Sequence, residues 1–185
     1  SRRDWVMFSC YAHMHVSVYG GPIHKPHTPV LQLLIQPWKG DHEAWTVYRH
    51  PDGIRKNGKI VFKKWNREAD LKRFRALGQQ EAPKDWMQKT NVTEQIFHVS
   101  GRWVANLERA VGKISIPLIA GPVQPLSADT EYKLSLWRGR QESEFSWHAA
   151  PPKGWRPLAN LFGSLLRNFR AHTEGKPFGP IQIRK

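Results

Sequence analysis

Two histidines one residue apart, His13 and His15, open the chemistry this sequence can offer. On an extended strand, residues i and i+2 point to the same side, so both imidazoles would face one way with Tyr11 and Ser17 beside them. Such a pair chelates a metal when a third ligand arrives from elsewhere, and His24, His27, His42 and His50 are the candidates. Their spacing is irregular and no carboxylate is placed beside them. The pair reads equally as a polar strand face, and no cofactor is implied. A broader signal is charge. Between residues 51 and 75 lie Arg55, Lys56, Lys59, Lys63, Lys64, Arg67, Lys72, Arg73 and Arg75, against Asp52, Glu68 and Asp70. A basic hairpin running into a basic helix is a surface that neutralises phosphates, and Phe62 and Trp65 within it could stack on unpaired bases. Arg138 and Arg140 flank Gly139 at a second predicted hairpin tip, beside Trp137, the tryptophan expected to be exposed.

His15-Val16-Ser17 returns later as His98-Val99-Ser100. The pair resembles the two H-x-[ST] motifs of the 2H phosphoesterase family. That resemblance implies a single domain in which each motif lies on a strand and the two face each other across a cleft around a phosphate. His15 and His98 would then act as general base and general acid, with Ser17 and Ser100 as phosphate ligands, on an RNA end or a cyclic phosphodiester. The likeness covers six residues. Read on its own, Ser100 stands where a helix N-cap belongs, just before Gly101-Arg102.

Other catalytic patterns are missing from the sequence. Gly20-Gly21-Pro22 lacks the spacing of a phosphate loop, and no G-x-S-x-G elbow occurs. Cys10 is predicted on the apolar side of its strand, an inert core thiol. Glu142 and Glu144 stand at a hairpin edge as solvated charges. Trp147, Pro151-Pro152 and Trp155 form a dense cluster that would mark a protein-interaction surface if it lay exposed.

These side chains need elements to hold them. Residues 5–19 alternate as a strand; Val30 to Gln36 is a short apolar strand before Pro37. Trp45 to Arg49 and Lys59 to Trp65 pair around the turn signals Pro51-Asp52-Gly53 and Asn57-Gly58. Asn66 caps a helix predicted from Arg67 to Leu77, with a narrow apolar stripe at Ala69, Leu71, Phe74 and Leu77. Residues 79–91 read as a linker. Val92 to Val99 forms a strand, followed by a helix to Val111 with Trp103, Val104, Leu107 and Val111 on one face. Tyr132 to Trp137 and Glu144 to His148 make a hairpin, and a final helix starts near Pro157 with a wide apolar face. The order predicts an α+β fold: a single domain over 1–185, mainly antiparallel sheet with two or three helices packed on one face, and residues 176–185 a loosely packed basic tail.

Composition bounds the rest. The 185 residues carry 29 Lys+Arg against 15 Asp+Glu, a formal charge of +14. Nine Trp and eight Phe exclude a disordered tail, since they supply ample surface to bury. The single Cys excludes an internal disulfide and a thiolate zinc cluster. It fits a reducing cytoplasm and a cysteine-poor exported protein alike, so no compartment is assigned. No transmembrane segment of about 18 apolar residues is present. The sequence thus points to a non-enzymatic binding module for a polyanion such as RNA or DNA, through Arg55, Lys56, Lys59, Lys63, Lys64, Trp65, Lys72, Arg73, Arg138 and Arg140. A 2H-like phosphoesterase and a protein-interaction domain are the alternatives.

Overall fold

The computed structural model describes residues 26–37, 40–76, 90–115, 130–139, 141–148, 150–179 and 181. The strand predicted at 5–19, with Cys10, His13, His15 and Ser17, lies outside them, as do His24, Leu77, residues 79–89 of the predicted linker and Arg140.

Among the described residues, six strands form one antiparallel sheet: β1 (Thr28–Gln36), β2 (His42–Arg49), β3 (Gly58–Trp65), β4 (Val92–Val99), β5 (Glu131–Arg138) and β6 (Gln141–His148), in the order β4-β3-β2-β1-β5-β6. The first four meander outward from β1, and β5 returns to pair with the free side of β1, Leu33 lying opposite Leu134. Three described helices accompany the sheet: α1 (Arg67–Ala76), α2 (Gly101–Gly112) and α3 (Arg156–Thr173). This is the predicted single-domain α+β arrangement.

Alternation decides the layers. Leu31, Leu33, Ile35, Trp45, Val47, Ile60 and Leu134 face the same side and are buried against Val104, Leu107 and Val111 of α2 and Leu158, Leu161, Phe162, Leu165 and Phe169 of α3. Each fully buried large apolar side chain here contributes about 1.5–3 kcal/mol relative to exposure. Trp45 sits at the centre, stacked on Phe62 at 4.1 Å and Phe169 at 5.3 Å between ring centroids. The opposite face of the central strands carries Gln32, Thr46 and Ser135 yet is buried as well, and Gln32 Nε2 donates to Thr46 Oγ1 at 2.9 Å. That differs from a sheet covered on one side only, and it is why β1 is buried continuously from Val30 to Gln36.

The helix boundaries follow local chemistry. Asn66 Oδ1 accepts from Ala69 N at 2.9 Å and starts α1. Ser100 Oγ accepts from Trp103 N at 3.2 Å and starts α2. α3 begins at a proline in its first turn and closes with Gly175 N on His172 O and Lys176 N on Ala171 O. Beyond it, two residues of the expected loose tail are seen to pack, while residues 180 and 182–185 lie outside the described residues. Phe178 stacks on His172 at 3.7 Å and packs beside Phe169 and Trp103, and Gly179 O accepts from Trp103 Nε1 at 3.3 Å. An aromatic at the end of a basic stretch finds the core because burying it outweighs the entropy of ordering a few residues.

Candidate polyanion-binding surface

The geometry of β3 divides the predicted basic patch. The hairpin loop carrying Arg55 and Lys56 lies at one end of this strand, and α1 with Lys72 and Arg73 follows its other end. Eight residues of extended chain separate them, about 25 Å at ~3.3 Å per residue. Neighbours in sequence are therefore held at opposite ends of the sheet.

Internal acids then occupy several of the cations. Lys63 Nζ lies 3.6 Å from Glu94, Lys64 Nζ 3.1 Å from Asp41, and Arg73 3.1 Å from Asp70. Trp65 is 1% exposed and its Nε1 donates to Asp70 Oδ2 at 2.9 Å, so its ring is core and offers no platform for a base. Phe62 is committed to Trp45 in the same way. By contrast, Arg55, Lys56, Lys59, Lys72 and Arg138 make no ion pair among the described residues.

The other expected sites fare differently. His98 is the penultimate residue of β4, exposed and opposite Lys59 in register, while the Ser100 hydroxyl is engaged as the α2 cap. Their proposed partners His15 and Ser17 lie outside the described residues, as does His13 of the metal reading. His27 and His50 meet edge to face at 4.9 Å, and His42 meets Trp65 at 5.0 Å. Among the described residues, no three His, Cys, Asp or Glu gather as a metal site. Trp147 is buried against Phe162, and Trp155 and Trp137 are half-buried, so the exposed tryptophan patch that would mark a protein interface is not found there. No described helix is long and apolar enough to cross a membrane.

What the fold does gather lies along α2. The β2–β3 loop, the start of α2 after β4, and the β5–β6 turn at Gly139 all reach the same end of the sheet. The first turn of α2 is pressed onto the hairpin loop. A side chain at Gly101 would begin 2.4 Å from Lys56 O and 2.6 Å from Gly53 O, so only glycine permits that approach. Midway, Arg49 Nη1 donates to Glu108 Oε1 at 2.9 Å and ties the helix to β2. At the far end, a side chain on Gly112 would begin 3.7 Å from Arg138 Nη2.

With Val104, Leu107 and Val111 buried, the helical period turns Arg102, Asn106 and Arg109 outward, and exposed Lys113 continues the row at the C-cap. Arg109 Nη1 donates to Asn106 Oδ1 at 3.0 Å. Arg55, Lys56, Arg102, Arg109, Lys113 and Arg138 thus form a basic ridge about as long as the helix, ~18 Å at 1.5 Å per residue. The acid of the helix itself, Glu108, is engaged by Arg49, whereas Asp52 in the hairpin loop is exposed and only its backbone N–H bonds His50, donating to Nδ1 at 3.1 Å. Three members, Arg102, Arg109 and Lys113, were not among the sequence candidates. Their signal is the 4-3-4 spacing through Asn106, opposite the apolar face, which a count of charge density passes over.

Beyond Arg138 the ridge opens onto a cleft of about 520 Å³ between α2, the start of α3 and the β5–β6 hairpin. Comparison with protein-family models, curated proteins and solved structures finds no match.

Proposed function

We propose that the chain is a non-enzymatic binding module that holds a polyanion, RNA or DNA, along the α2 ridge. The observation that carries this reading is the row Arg102, Arg109 and Lys113, exposed and without ion pairs among the described residues, running from Arg55 and Lys56 to Arg138. Cations without internal partners condense phosphates and release counterions, whereas cations already held by carboxylates contribute less. The positive end of the α2 dipole lies at Arg102 and adds to the field there. The sheet supplies a rigid base, and no nucleophile or general acid is required.

The test is binding of a fluorescent oligonucleotide across a salt series. Affinity should fall steeply, with the logarithmic slope set by roughly 0.7–0.9 per phosphate neutralised. Charge reversal at Arg102→Glu, Arg109→Glu and Lys113→Glu together should weaken binding at least about 100-fold, a loss of ~2.7 kcal/mol. Binding that ignores both salt and this reversal would sink the reading.

A further inference from the structure

We infer that the cleft beside Arg138 receives one unpaired nucleobase, which makes a single strand the preferred polyanion; this rests on the ridge reading above. The cleft measures about 520 Å³, ample for a base and within the range of small-ligand sites. Its deep wall is apolar: Leu158 is fully buried and Leu136 half-buried. Two half-buried aromatics, Phe145 and Trp155, line it edge to face with ring centroids 5.4 Å apart. Trp155 Nε1 is buried and has no hydrogen-bond partner among the described residues.

The mouth is polar. Arg138, Gln141 and Ser143 are exposed there, whereas Glu144, opposite Ser135 in register, turns to the other face of the sheet, 3.9 Å from Lys133 Nζ. A nucleobase matches this division, with apolar faces for the aromatic wall and a donor–acceptor edge for Gln141 and Ser143. Arg138 at the mouth attracts the phosphate, and the apolar interior leaves the base as the part that enters. Arg138 belongs to both the ridge and the cleft, which joins the two into one nucleotide-sized step. A base locked in a duplex presents neither face nor edge and is excluded.

The experiment compares oligothymidylate with a fully abasic deoxyribose-phosphate strand of equal length, using the unmodified protein. The base-bearing strand should bind at least about tenfold tighter, and Ser143→Trp, which fills the mouth, should erase that advantage. Equal affinities for the two strands, or a blunt duplex bound more tightly than the single strand, overturn the cleft proposal and leave the ridge standing. Failure of every strand to bind overturns the ridge, and the cleft with it. The abasic comparison needs no variant, so the test holds even if Ser143→Trp misfolds.

Discussion

Helices α1 and α2 are both basic surface helices, yet they present their charge in opposite ways. α1 carries Arg67, Lys72, Arg73 and Arg75 against Glu68 and Asp70; α2 carries Arg102 and Arg109 against Glu108, with Lys113 at its C-cap. By sequence α1 holds the more cations, four against three. Its one buried residue, however, is Asp70, which accepts from Trp65 Nε1 and Asn91 N, both at 2.9 Å, and draws Arg73 toward itself. α2 buries Val104, Leu107 and Val111, so its cations are left on the far side. In α1 charge serves attachment, and in α2 apolar packing leaves it facing solvent. Presented charge is therefore set by what anchors the helix, not by how many cations it holds.

The largest effect should come from removing the α1 anchor. Asp70→Ala strands two donors of which the Trp65 indole is fully buried, and it should cost about 2–4 kcal/mol. In a domain of this size that lowers Tm on the order of 5–15 °C. Asp70→Asn keeps an acceptor and should recover part of the loss. Below the new Tm, oligonucleotide affinity should match the unmodified protein. A variant that keeps its Tm while losing binding would show that α1 belongs to the binding surface.

Charge reversal draws the same contrast in binding. Where the α2 triple reversal removes at least about 100-fold, Lys64→Glu, Lys72→Glu and Arg73→Glu together should cost less than about fivefold, because two of these cations are already paired with acids. Equal losses from the two sets, measured at one salt concentration, would restore residues 51–75 as a single contact surface.

Much of this architecture is legible in the sequence. β4 is found at Val92–Val99 as alternation predicts, and β3 at Gly58–Trp65 within one residue, because turn signals bracket period-2 runs. The helix starts are legible for the same local reason, through the Asn66 and Ser100 caps. Legibility ends where partners are distant. That β5 pairs with β1, that Asp41 takes Lys64, and that Arg170 Nη2 reaches Glu43 Oε2 at 2.9 Å are settled by tertiary packing. Trp65 shows the cost. Its place in a basic run suggests an exposed ring, and only the buried carboxylate one helical turn onward reveals why it points inward.

Ser100 offers a smaller and more discriminating test. As the α2 cap its hydroxyl satisfies Trp103 N, and Ser100→Ala should cost about 1 kcal/mol through fraying of the turn that carries Arg102. Ser100→Asp caps equally well and should restore stability while weakening polyanion binding slightly, since it adds an anion at the ridge. A phosphate-ligating serine would behave differently, with hydrolysis of a 2′,3′-cyclic phosphate abolished by both variants at full stability.

The smallest expected change concerns the pairing argument itself. Arg49 is 44% exposed but held by Glu108 on the helix that forms the ridge. Glu108→Gln should cost at most about 0.5 kcal/mol of stability, because an exposed ion pair gains little against solvent and salt. It also releases a cation beside Arg109 and removes the acid nearest the ridge, so affinity should rise about two- to threefold at low salt and converge with the unmodified protein as salt screens the field. An increase that vanishes with salt means that internal acids set how much of the +14 charge reaches a partner. No increase at any salt would mean that Arg49 lies off the path of the bound strand, which confines the contact to the outer stripe of α2 and its two flanking tips.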